Sequence, residues 1–185
     1  GDAARAQQLQ KELEQAKKDL EAARKDLAAA KQQLASKVTG AVYPAGTKLI
    51  ALTFDDGPGG KTTPRLLDEL KKRNIKATFF VVGTNAAKHP EILKRMDAEG
   101  HVIGNHSYAH QNLTKGAAAA MQDQVNKCAA IIRGAVGYDP VLLRPPGGNY
   151  DNRLLGYAKE KGVSVVNWTV DTRDWEHRNK DTILA

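Results

Sequence analysis

Cysteine is nearly absent: Cys128 stands alone among 185 residues. One thiol excludes an intrachain disulfide framework and a cysteine-rich zinc site, and its place in an expected helix suits a small buried side chain. Aromatic residues make up only 5% of the chain. No basic cluster interleaved with aromatics occurs, which argues against a nucleic-acid partner. No run approaches the roughly 18 consecutive apolar residues of a transmembrane helix, so no membrane span is expected. The chain opens on Gly1 without a basic stretch followed by an apolar one. That start implies a signal peptide already removed or an internal piece of a longer protein.

Charge of one sign is not concentrated either. The formal net charge is +7, with 8 basic and 6 acidic side chains in residues 1–40 and 20 and 15 in the remainder. So diffuse an excess reads as a solvated surface compatible with an anionic polymer.

Residues 3–36 contain neither Pro nor Gly, and Leu13, Leu20, Leu27 and Leu34 recur every seven residues. Ala16, Ala23 and Ala30 fall three positions after the first three of these, with Leu9 in the same register. This pattern predicts a helical coiled-coil stalk over 1–37, whose seam pairs with another copy or another helix. Gly40, Pro44 and Gly46 mark a linker over 38–47.

From residue 48 onward strands and helices alternate. Strands are expected at 48–54, 77–82, 101–105, 141–144 and 163–170. Helices are expected from Thr63-Pro64 to about Arg73, from Pro90 to Gly100, over 116–135, over 151–161 and from about Asp181. The alternation implies an α/β domain over 48–185 with a parallel sheet, open or closed into a barrel.

Polar residues gather after the strands: Asp55-Asp56-Gly57-Pro58, His106 through His110, Arg144-Pro145-Pro146, and Asp171 through Trp175. In a parallel barrel such strand ends share one face, where active sites form. Singly each has a plain reading: Asp and Gly-Pro make turns, Arg144 suits a surface, and Asp171 suits a cap. Together, two imidazoles and a carboxylate form a donor set that zinc and other first-row metals accept, with a second carboxylate free for proton transfer. His106 and His110, four apart, would align if the segment were one helical turn. The run Gly57 to Thr62 superficially suggests a phosphate-binding loop. Asp55 stands where that loop needs its first Gly, and Pro58 removes an N–H donor.

Thr53-Phe54-Asp55-Asp56-Gly57-Pro58, His106-Ser107-Tyr108-Ala109-His110, Arg144-Pro145-Pro146 and Asp171-Thr172-Arg173-Asp174-Trp175 resemble, in order and spacing, the NodB-homology polysaccharide deacetylases of carbohydrate esterase family 4. The resemblance covers residues 48–185 and implies a distorted (β/α) barrel that removes acetyl groups from peptidoglycan, chitin or xylan. It implies Asp55 as general base and Asp56, His106 and His110 as ligands of one divalent metal, zinc first. It further implies Arg144 as the partner of the base and Asp171 as the acid that orients a catalytic His. Gly147 would offer an oxyanion N–H, and Tyr150 and Trp175 would contact substrate. The implied enzyme is exported, acts at the cell wall and takes an acetylated polysaccharide as partner.

The family's closing motif, a strand ending in Leu-x-His that supplies the general acid, has no counterpart here. His89, His101 and His177 occupy other contexts. The expectation is therefore a C-terminally incomplete domain with an intact metal site and impaired turnover. Two rival readings are a non-catalytic carbohydrate-binding scaffold and an iron-dependent oxygenase using the same three ligands.

Overall fold

A computed structural model describes residues 2–39, 46–177 and 179–184. In the first helix, side chains are described for residues 5–23 and Asp26. The chain divides into two compact units, Gly1–Ile50 and Ala51–Ala185.

The first unit is built on α1, Asp2–Thr39, which runs two residues past the expected stalk and takes the start of the expected linker into the helix. Gly40 and Pro44 lie outside the described residues, as do the side chains of Leu27, Ala30 and Leu34. Leu9, Leu13 and Leu20 are more than half exposed. No helix among the described residues is long and apolar enough to cross a membrane.

The second unit follows the order β1 (Thr53–Asp55), α2 (Thr62–Lys72), β2 (Thr78–Val81), α3 (Gly83–Ala86), α4 (Pro90–Ala98) and β3 (Val102–Asn105). It continues with α5 (Ala118–Val136), β4 (Leu142–Leu143), a 3₁₀ turn (Pro146–Gly148), α6 (Asn152–Glu160), β5 (Ser164–Val165), α7 (Asp174–His177) and α8 (Lys180–Leu184). The five strands are parallel and adjacent in chain order. Sequential parallel strands joined by helices carry every strand's C-terminal end to the same edge of the sheet.

Local chemistry sets the helix ends. Pro90 starts α4, where its missing N–H costs nothing. The Asp151 carboxylate accepts the Leu154 N–H at 3.0 Å and caps α6. Gly137, with φ 84°, ends α5 in the left-handed conformation that Gly adopts most readily.

Alternation along β2 and β3 sorts side chains between the two faces. Phe79, Val81 and Ile103 pack with Leu67, Leu93, Met96, Cys128 and Ile132 on the helix side. Cys128 is fully buried, as expected, and burial pushes its thiol up to about 12. Phe80 takes the opposite face, where Gly104 leaves room for its ring: a Cβ on Gly104 would come within 2.5 Å of it.

Three expectations need correction. The first strand is 53–55 rather than 48–54, and its ladder begins only where the Thr78 N–H reaches the Leu52 carbonyl. The fifth is two residues rather than eight, because β4 gives way to Pro145 and Pro146, which have no N–H for a ladder. The His106–His110 segment is not a helical turn, since Ser107 and His110 have φ of 66° and 54°.

His101, at the mouth of β3, is buried and accepts the Ala77 N–H on Nδ1 at 3.2 Å. Burial lowers its pKa, and Lys76 and Arg95 add to the effect against the opposing pull of Glu99. A protonated ring would have to donate from Nδ1 and would lose the Ala77 bond. The folded protein thus binds fewer protons here than the unfolded chain. The resulting stability is full above the unfolded pKa of about 6.5 and is lost as pH falls toward the folded value. His101→Asn, which keeps an acceptor but does not titrate, is expected to flatten the fall in Tm between about pH 7 and 5. Parallel melting curves for the two proteins would contradict this.

Candidate active site

The sheet edge brings together residues from four loops. Asp55 ends β1, and Asp56 follows with φ 68°. Successive strand residues point to opposite faces, so two adjacent carboxylates share one cleft only if the chain turns between them. The left-handed Asp56 makes that turn, and Asn85 holds it by donating to the Asp56 carbonyl at 2.8 Å. Such backbone costs about 1–3 kcal/mol per residue and concentrates at functional sites. His110 carries the same feature.

Asp56 Oδ1 lies 3.4 Å from His106 Nε2 and 3.1 Å from His110 Nε2. One donor atom from each of the three residues falls within 4.8 Å of the others. The tautomer also fits a ligand: His106 is buried and its Nδ1 lies 2.6 Å from the Arg144 carbonyl, which can only accept a proton. Nε2 is therefore left with its lone pair toward the other two donors. When the rings are protonated instead, a hydrogen bond from His106 draws the Asp56 carboxyl below its usual range; burial opposes this and the charge of the two histidines assists it. These donors fit a single divalent cation with open positions for water.

Arg144, expected as the partner of the base, is 3% exposed. Its Nη1 donates to Asp55 Oδ1 at 2.7 Å and to Thr53 Oγ1 at 2.8 Å, and its Nη2 donates to the Asn167 carbonyl at 3.0 Å. The Phe80 ring lies under the guanidinium, 4.1 Å away, and the Trp168 ring lies 5.7 Å away. Asp55 Oδ2 is 3.8 Å from His106 Nε2, so the held carboxylate stands beside the three-donor set without being one of its closest members.

The other expected site residues are less gathered. Gly147 has φ 64° in the 3₁₀ turn. Gly148 and Asn149 use their N–H groups on the Pro145 and Pro146 carbonyls, and the Gly147 N–H takes no part in these bonds. Tyr150 and Trp175 are 55% and 67% exposed. Asp171 is exposed and accepts the Arg173 N–H at 2.9 Å. His177 ends the exposed helix α7.

Thr53, Asn85, Phe80 and Trp168 were not legible as site residues. Thr53 lay within the quoted motif, and its place two residues before Asp55, on the same strand face, was the available signal. Nothing in the sequence marks Phe80, whose role depends on the gap at Gly104.

The family model described as polysaccharide deacetylase matches residues 42–166. The chain belongs to the polysaccharide deacetylase family. The chain is 48% identical over 134 residues to a peptidoglycan-N-acetylglucosamine deacetylase of Bacillus cereus, covering 72% of this chain and 49% of that protein. It is 39% identical to a chitooligosaccharide deacetylase of Bradyrhizobium, covering 76% of this chain and 65% of the relative. The solved peptidoglycan deacetylase PdaC of Bacillus subtilis superposes with a TM-score of 0.72 at 44% identity, over 77% of this chain and 69% of that one. The chain thus spans about half the length of the Bacillus cereus relative. The α/β fold with a parallel sheet is that of these deacetylase structures.

Proposed function

We propose that this chain carries the metal-dependent deacetylase activity of a cell-wall enzyme that hydrolyses the N-acetyl groups of N-acetylglucosamine, with peptidoglycan as the first substrate. The observation that carries the reading is the Asp55 carboxylate, held at 2.7 Å by a buried Arg144 next to the Asp56–His106–His110 donor set. Similarity to the Bacillus peptidoglycan deacetylases supports the polymer and an extracellular, wall-facing location.

The amide carbon is a poor electrophile and water a poor nucleophile near neutral pH. A divalent metal, zinc first, supplies Lewis-acid polarisation and a more acidic bound water when held by Asp56, His106 and His110. Asp55 accepts the proton of the attacking water, and Arg144 fixes that carboxylate in direction. The Gly147 N–H is assigned to the developing oxyanion. Tyr150 and Trp175 present exposed rings for sugar or acetyl contact. Asp171 is assigned to orienting a proton donor for the leaving amine.

The chitooligosaccharide relative favours chitin oligomers as the second reading. The test is acetate release, measured on zinc-loaded and chelator-treated protein. N-acetylated glycan strands from peptidoglycan are expected to be deacetylated faster than chitin oligomers, and only by loaded protein. Stoichiometric metal with no acetate from either polymer, in this chain and in one that also carries a Leu-x-His strand, would replace the enzyme by a carbohydrate-binding scaffold. Oxygen uptake by iron-loaded protein would replace it by an oxygenase.

A further inference from the structure

The helix α1 spans 38 residues, or roughly 57 Å at 1.5 Å per residue. Its Leu seam is exposed along the described part, at 57%, 55% and 53% for Leu9, Leu13 and Leu20. An amphipathic helix of this length keeps its stripe dry by packing on another helix. The residues that flank the seam identify which one.

With Leu13, Leu20, Leu27 and Leu34 at the first heptad position and Ala16, Ala23 and Ala30 at the fourth, the two flanking positions separate by sign. The residues just before the first three of these Leu are Glu12, Asp19 and Asp26, all acidic, and Gln33 precedes the fourth. The residues four after the same three Leu are Lys17, Arg24 and Lys31, all basic. One edge of the seam is therefore negative and the other positive through the three middle heptads.

Helix direction decides what these edges meet. In a parallel, in-register pair, each acidic position faces the basic position five residues on in the partner. Glu12 then faces Lys17, Asp19 faces Arg24 and Asp26 faces Lys31, and two-fold symmetry repeats each pair. In an antiparallel pair of identical helices, each edge faces its own kind, acid on acid and base on base. Among the described residues of one helix, Glu12 and Asp19 accept from the neutral amides of Gln8 and Gln15, each at 2.9 Å, and Lys17 pairs with Glu14 at 3.1 Å. The outermost heptad positions, Lys11, Lys18 and Lys25, are basic and suit the solvent face.

We propose that α1 is a parallel, in-register homodimerisation helix whose partner is a second copy of this chain. The small Ala at alternate seam positions allows close approach, while the Leu positions supply the buried area. Both chains leave a parallel coil at the same end, so two copies of residues 51–185 continue from one stalk. Two linked catalytic units on one polymer network gain avidity without any new contact to the sugar. The proposal rests on helix charge and register alone and stands or falls independently of the catalytic reading.

Sedimentation equilibrium at micromolar concentration is expected to give the dimer mass for the full chain. Two charge variants test the partner: Glu12→Lys/Asp19→Lys/Asp26→Lys makes both edges basic, and Lys17→Glu/Arg24→Glu/Lys31→Glu makes both acidic. Each alone is expected to weaken dimerisation at least about 100-fold, and an equimolar mixture to restore it. Ala16→Cys tests direction. A parallel in-register pair places the two introduced thiols opposite each other, so mild oxidation should give a covalent dimer, while the buried Cys128 stays reduced. A monomeric chain with its helicity intact would overturn the proposal, and that result would fit a seam filled by another segment of the same chain. Charge variants as dimeric as the parent would overturn it, as would a dimer that fails to form the disulfide.

Discussion

Asp55→Asn is expected to keep the metal and to lose turnover by roughly 10²–10⁴-fold, the usual effect of removing a positioned general base. The substitution is nearly isosteric, and the amide oxygen still accepts from Arg144 Nη1. The guanidinium also keeps its bonds to Thr53, Asn167 and the Val166 carbonyl. Folding should thus be little changed, although the charge that balances Arg144 is gone. Metal affinity should hold because the closest donor pairs involve Asp56, whereas Asp55 stands 3.8 Å from His106. Removing Arg144 itself is a different experiment. It leaves a carboxylate without its cation and a gap between Phe80 and Trp168, so lost packing would mix with lost charge. The clean comparison is Asp55→Asn against Asp56→Asn, with metal content and acetate release measured on both. Equal loss of metal in the two would remove the distinction between base and ligand.

The ordered polar motifs were legible because sequential parallel strands bring their C-terminal ends to one sheet edge. Asp55 at the end of β1, His106 after β3 and Arg144 after β4 need only that topology to meet. The alternation of strands and helices gave the order of these elements and most of their positions. Pairing length was less legible, since it depends on the neighbour as much as on the strand itself. Residues 163–170 have the β-branched composition of a long strand, yet β5 stops at Val165 because β4 offers so little ladder. Beyond it, Val166 and Asn167 turn their carbonyls to the Arg144 side chain. The chain there exchanges a strand partner for a side-chain partner, a substitution that no local propensity registers.

The histidine pair was legible as a pair, but not the way the chain brings it together. Spacing of four suggests one helical face. The imidazoles do converge, with ring centroids 5.1 Å apart, but through two left-handed residues in a loop. Residue type and tertiary contact, rather than helical periodicity, bring Nε2 of each ring to Asp56. The hydrophobic support under Arg144 was the least legible part, because it arises from a missing side chain at Gly104 on a neighbouring strand.

Histidine substitutions separate the metal from the fold. His110 has a half-exposed side chain, so His110→Ala is expected to abolish stoichiometric zinc binding while leaving the melting temperature of the metal-free protein nearly unchanged. His106 is 2% exposed, and its Nδ1–H satisfies the Arg144 carbonyl. His106→Ala should also abolish binding, but it strands a buried acceptor and opens a cavity, at a cost of about 1–3 kcal/mol for the unmade hydrogen bond alone. Linkage supplies the control. Zinc at 100 times its dissociation constant stabilises a binding protein by about 2.7 kcal/mol. For a domain of this size that is a rise of roughly 5–10 °C. The parent should show the rise and neither variant should. A His110→Ala protein that still gains stability on zinc addition, with metal content unchanged, would show that the ion is held elsewhere and would remove the basis for assigning Asp55 to water activation.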